Sequence, residues 1–190
     1  EEEPDLATEI FLDSPLAIEA TEVFLRRGWN ADSGNNPFEP LRHADRLHHL
    51  LRPQESDRLE RLSGWHVILA GSGMCDAGRI RHHLRHNLPR KECSVLFSGF
   101  QAQGTLGRQL VDGAARVRIF GDDIPVRAAI HSVDGLSAHA DQPALMAWAR
   151  GFKQAPEQTF VVHGEPSAAQ ALAELLQQQL GWQVSVPERG

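Results

Sequence analysis

Short apolar runs recur along this chain, each followed by a turn of small residues and then by a helical pattern. "EIFLD" (9 to 13) leads into "SPLAIEATEVFLRRG", and "HVILA" (66 to 70) passes through "GSGMCDAG" into "RIRHHLRHNL". "CSVLF" (93 to 97) passes through "SGFQAQG" into "TLGRQLVDG", and "TFVVHGE" (159 to 165) leads into "PSAAQALAELLQQQLG" with "WQVSV" behind it. Runs that are apolar throughout suit strands buried on both faces, as in a parallel sheet. Strands alternating with helices build right-handed βαβ units. The expected class is therefore α/β, a largely parallel β-sheet with helices on both faces. One stretch departs from the pattern: in "ARVRIFGDDIPVRAAIHSV" two β-rich runs flank "GDD" and predict an antiparallel hairpin. At the first helix, Ser14 suits the N-cap, Pro15 the first helical position and Gly28 the end. The polar stretch "GWNADSGNNPFEP" (28 to 40) predicts a long surface loop.

The formal net charge is -6 over 190 residues, so no global field draws the chain toward nucleic acid. A polyanion site has to be a local patch or a set of backbone donors. Two cysteines, no signal-peptide pattern and no long apolar run predict a reduced, cytoplasmic setting and no membrane contact.

In open parallel sheets, ligands gather at the carboxyl ends of strands. The glycine-rich turns "AGSGM" (70 to 74) and "SGFQAQGTLGR" (98 to 108) fall there. Such turns expose backbone N–H groups beside a helix and suit an anion, although the same glycines also serve tight turns alone. Ser72 and Gly73 in the first turn, and Gln101, Gly104 and Thr105 in the second, are the candidate substrate-binding residues. Of the ten histidines, His48, His49, His82, His83 and His86 lie in arginine-rich, helix-like segments and predict a solvated basic face. His163 follows "TFVV" at a strand end. His139 is expected in the first turn of a helix capped by Ser137, whose apolar positions Leu145, Trp148 and Phe152 would hold it to the sheet. These two histidines, with Ser137, complete the candidate site.

Five ordered motifs carry a resemblance: "LDSPLA" (12 to 17), "GSGM" (71 to 74), "GFQAQGTLGR" (99 to 108), "GLSAHAD" (135 to 141) and "VVHGE" (161 to 165). Together they resemble the β-CASP family, the RNA-processing branch of the metallo-β-lactamase superfamily, from about residue 9 to about residue 186. The resemblance implies a Rossmann-like β-CASP domain over 1–134, incomplete at its N-terminus, and a 135–190 return segment of the metallo-β-lactamase fold. It implies that His139 is catalytic, assisting at the scissile phosphate, and that His163 is a ligand to one of two zinc ions. The lactamase His-x-His-x-Asp-His loop, a further His and a bridging Asp are not in this sequence. Phe100 and Gly71 stand where Tyr and Ser are commoner.

Two functions follow as expectations. One is the RNA-clamping portion of a zinc-dependent ribonuclease, inactive by itself, holding no zinc stably and partnered by a metallo-β-lactamase half. The other is a non-catalytic stand-alone module that binds RNA or a protein. Apolar surface uncovered without that half predicts a homodimer, with Trp148 and Trp182 among the exposed residues.

Overall fold

The computed structural model describes residues 8–27, 40–41, 44–136 and 139–188. Two compact units divide the chain, Glu1–Val133 and Asp134–Gly190.

In the N-terminal unit, strand β1 (Glu9–Leu12) is followed by helix α1 (Pro15–Arg27), with Pro15 opening the helix as expected. Gly28 and the loop residues 29–39 lie outside the described residues. Strand β1 is the middle of a three-stranded parallel sheet, between β2 (Leu47–His49) and β3 (His66–Leu69). Strand β2 corrects the helix-like reading of "RLHHLL". His48 stacks on Phe11 at 5.0 Å and its Nε2 lies 2.5 Å from Glu9 Oε2, contacts that a parallel partner of β1 makes and a free helix would not. Helices α2 (Pro53–Arg58) and α3 (Ile80–Asn87) flank β3 in sequence.

Strand β4 (Ser94–Phe97) leads to helix α4 (Leu106–Val111), and an antiparallel hairpin of β5 (Arg116–Ile119) and β6 (Asp122–Pro125) follows. The chain then returns as β7 (Ala129–Ser132), parallel to β4. The hairpin forms as expected, but its turn is Phe120-Gly121, at φ 53° and 91°. Asp122 and Asp123 belong to the second strand. Among the described strands, the parallel ladders are separate: β2-β1-β3 in one sheet and β4-β7 in another.

Leu84, Leu88, Phe97, Leu106, Leu110, Val117 and Ile119 form the core of this unit. Burying side chains of this size contributes about 1.5–3 kcal/mol each. The strands are not buried evenly on both faces. Val67, Leu69 and Leu96 are exposed while Phe97 is buried, because the period of two sends successive side chains to opposite faces.

The C-terminal unit consists of helices α5 (Gln142–Arg150) and α6 (Pro166–Leu180) and a parallel pair, β8 (Thr159–Phe160) and β9 (Val184–Ser185). Its core is Met146, Ala149, Leu176 and Trp182. Two expectations are corrected here. Trp182 is buried, and α5 packs through Met146 and Ala149 rather than Leu145 and Trp148, while Phe152, just past the helix, sets its half-exposed ring edge-on against Trp182 at 5.4 Å. The face bearing Trp148, 67% exposed, is left open. Helix α6 ends on Gly181 in the left-handed region (φ 68°), a conformation glycine adopts without a Cβ penalty. Among the described residues, no helix is long and apolar enough to cross a membrane.

Candidate functional site

Where β1 runs into α1, Asp13 is fully buried and its carboxylate is shared among three side chains from α2 and the start of α3. Arg79 Nη1 donates to Oδ1 at 2.5 Å, while Ser56 Oγ and His83 Nε2 donate to Oδ2 at 2.5 and 2.6 Å. Arg79 also donates to the carbonyls of Leu50 and Leu51, both at 2.8 Å. Burial alone would raise the Asp13 carboxyl. Hydrogen bonds from Ser56, His83 and Arg79, with the charge of His83, outweigh it and hold the group below its ordinary value. His83 is thus a buried strut, not part of a solvated face. Its helix presents Ile80, Leu84 and Leu88 to the core, and a residue one step before Leu84 is carried inward with them.

This hub anchors the turn between β3 and α3. Ser72 and Gly73 are exposed on that turn. A Cβ on Gly71 would come within 3.2 Å of Ser14 Oγ, so the start of α1 lies hard against it. Gly78 takes φ 75°, and a Cβ there would sit 3.0 Å from the Gly71 carbonyl.

The second glycine-rich turn interlocks with the first. Gly107 N–H donates to Met74 O at 3.0 Å, and Leu106 N–H donates to Asp76 Oδ1 at 2.9 Å. A Cβ on Gly107 would lie 1.8 Å from Gln101 Oε1 and 3.2 Å from the Met74 carbonyl, so a larger residue would have to displace the Gln101 amide. Gln101 is buried and its Nε2 donates to Gly99 O at 3.0 Å, so its amide shapes the turn from inside. Thr105 is the N-cap of α4. Its Oγ1 accepts from Arg108 N–H at 3.2 Å and donates to Ala102 O at 2.7 Å. Gly104 is exposed, at φ 84°.

Around the two turns is a cavity of about 150 Å³ lined by Asp76, Arg81, Gly104, Gln109 and Arg118. Two guanidiniums beside a glycine backbone outnumber the one carboxylate on this wall, Asp76, which is engaged by Leu106 N–H, and can hold a phosphate through charge-assisted hydrogen bonds. Sequence reasoning missed Arg81, Arg118 and the Asp13 hub. Arg118 stands in "RVRI", the first strand of the predicted hairpin, and that basic strand is the available signal.

In the C-terminal unit, His163 is exposed, takes φ 64° and precedes the α6 N-cap, Glu165. His139 is exposed, but not in a helix. The N-cap of α5 is Asp141, whose side chain accepts from Ala144 N–H at 2.9 Å. Pro143 explains the difference, since proline is tolerated only in the first turn and a helix begun at 138 would place it deeper. Ser137 lies outside the described residues.

Among the described residues, no three His, Cys, Asp or Glu side chains are placed to hold a metal ion. A zinc site needs three or four protein ligands, so the described residues do not make one between them.

Parallel βα units with two interlocked glycine-rich turns after their strands define an α/β protein. Two family models match: a Beta-Casp domain over residues 1–110, and a Zn-dependent metallo-hydrolase RNA specificity domain over 123–187. The chain belongs to the β-CASP family of RNA-processing metallo-hydrolases. It is 37% identical to Ribonuclease TTHA0252 of Thermus thermophilus, over 88% of this chain and 39% of that protein. It is 33% identical to Transcription termination factor FttA of Methanocaldococcus jannaschii, over 64% of this chain and 20% of the factor. An RNase J-like protein of the same archaeon is 32% identical, over 65% of this chain and 29% of its own length. The chain thus spans well under half the length of these relatives.

Proposed function

We propose that this chain is the RNA-gripping portion of a zinc-dependent ribonuclease that hydrolyses phosphodiester bonds, and that alone it does not turn over. The interlocking of the turns at 70–79 and 98–107, around a phosphate-sized cavity with two arginines, carries the reading. Ser72, Gly73 and Gly104 meet the RNA backbone on the exposed side, and Gln101 and Thr105 hold the turn that presents it. His139, with Ser137 near it in sequence, serves the scissile phosphate as a hydrogen-bond or proton donor. His163 is the one metal ligand this chain contributes; two zinc ions belong to the longer protein, and their other ligands to its metallo-β-lactamase half. The free thiols Cys75 and Cys93 suit a cytoplasmic home.

A second reading, a non-catalytic module that binds RNA or a protein, draws on the absence of a three-ligand metal cluster among the described residues. The longer protein decides between the two. His139→Ala should suppress RNA cleavage while zinc content stays, and His163→Ala should lower both. Wild-type cleavage by the His139 variant would remove that histidine from the mechanism, and a longer protein that binds RNA without cutting it would favour the second reading.

The open face of Leu145 and Trp148 also supports self-association of the isolated chain as a two-fold dimer. Light scattering at high protein concentration should return twice the chain mass, and a clean monomer would contradict it.

A further inference from the structure

A larger cleft, about 450 Å³, opens in the N-terminal unit and is lined by Pro53, Asp57, Arg79, Arg81, His82 and Phe120 among others. Its volume is that of clefts that take small organic ligands, roughly 300–1,000 Å³. Arg81 lines both this cleft and the smaller cavity that holds Arg118 and Gly104. The two spaces are therefore neighbours across one guanidinium.

The cleft is aromatic and cationic at one end. The Arg81 guanidinium carbon lies 4.4 Å from the Phe120 ring centroid, and the His82 ring is 4.7 Å from it at a 41° tilt. Arg79 is fully engaged with Asp13 and two carbonyls. Arg81 makes no ion pair among the described residues, and its Nε–H is buried without a partner. The exposed Asp57 carboxylate faces the same space and opposes entry of a phosphate. A flat, neutral heterocycle suits these walls better than an anion does.

Phe120 is also an expensive choice for its position. It is the first turn residue of the hairpin and takes φ 53°, where Asn or Gly would sit with less strain. At 46% exposed, its ring recovers only part of that cost by burial. Arg81 Nη1 donates to the Asp76 carbonyl at 3.4 Å, and a half-exposed aromatic beside an arginine that makes no ion pair among the described residues suits base stacking on single-stranded RNA.

We propose that this cleft holds one unpaired nucleobase of the bound RNA, stacked on the surface formed by Phe120, Arg81 and His82, while the adjoining phosphate lies against Arg81 and Arg118. The proposal rests on the RNA-gripping reading and adds to it a subsite that reads bases.

The test is fluorescence anisotropy of the chain with a labelled short oligoadenylate and with an abasic ribose-phosphate oligomer of the same length. Phe120→Asn removes the ring while suiting the left-handed turn. It should weaken oligoadenylate binding by about five- to a hundredfold, the range that loss of one stacked base allows, and leave abasic binding unchanged. Phe120→Trp should restore the oligoadenylate affinity. His82→Ala, outside the turn, should weaken oligoadenylate binding in the same selective way even if the Asn variant folds poorly. Unchanged oligoadenylate affinity in Phe120→Asn and His82→Ala, with wild type binding normally, overturns the base subsite alone. A wild-type chain that binds neither oligomer overturns the RNA-gripping reading and this proposal with it.

Discussion

The two units fix their candidate residues by different means. In the N-terminal unit, one buried carboxylate, Asp13, gathers Ser56, Arg79 and His83, and two glycine-rich turns lock onto each other through Met74, Asp76 and Gly107. In the C-terminal unit, His139 and His163 stand on exposed segments next to helix starts, with an Asp141 cap and a left-handed turn shaping the backbone. Backbone groups that must meet a polyanion need a rigid frame, because a main-chain donor cannot swing to its partner as a side chain can. On the proposed function, an imidazole that joins a site with ligands from elsewhere needs access, and exposure provides it.

Removing the hub should produce the largest effect. Asp13→Asn leaves Arg79 and His83 without their buried counter-charge, a loss of about 3–5 kcal/mol by analogy with broken buried pairs. A thermal melt should fall by about 10 °C. His139→Ala and His163→Ala should each stay within about 0.5 kcal/mol of wild type, as exposed substitutions do. Comparable destabilisation in all three variants would erase the contrast between the units.

Acid should sharpen it. The Asp13 carboxyl is held below its ordinary value of about 3.9. The stability it contributes is therefore full above about pH 4 and is lost as the pH falls through the lowered folded value. Wild type should lose stability in that window by a component that Asp13→Asn lacks. Parallel acid-unfolding curves for the two proteins would show that the carboxylate is not the anchor.

Smaller effects test the interlocked turns. Gly107→Ala drives a Cβ into the Gln101 amide and should cost about 1–3 kcal/mol, as overpacking does. Thr105→Ala removes the α4 cap and should cost about 1 kcal/mol. Chemical denaturation measures both, and a neutral Gly107→Ala would mean that the Gln101 amide is not fixed in the second turn.

Much of this arrangement is legible in the sequence, and the failures have physical causes. Pro15, the hairpin and the glycine-rich turns follow from local rules that hold whatever surrounds them. His83 was misread because its burial depends on Asp13, 70 residues away, which nothing local announces. The "LHH" strand was misread because its basic neighbours suit a helix and only pairing with β1 decides otherwise. The α5 start was readable and missed: Pro143 allows a helix to begin at 142 but not at 138. Its buried face was less readable, since Met146 and Leu145 are equally apolar and the packing of α6 selects between them.

The central claim is that the chain grips RNA through the N-terminal turns, and an RNA titration at two salt concentrations tests it most directly. The chain should bind a short single-stranded RNA, and the affinity should fall steeply with added salt as phosphate-bound counterions are released. Charge reversal at Arg118, which leaves the Asp13 hub intact, should weaken binding at low salt. No binding up to about 100 µM at low salt, the weak end of ordinary non-specific affinity, or binding indifferent to both salt and Arg118, would contradict the account.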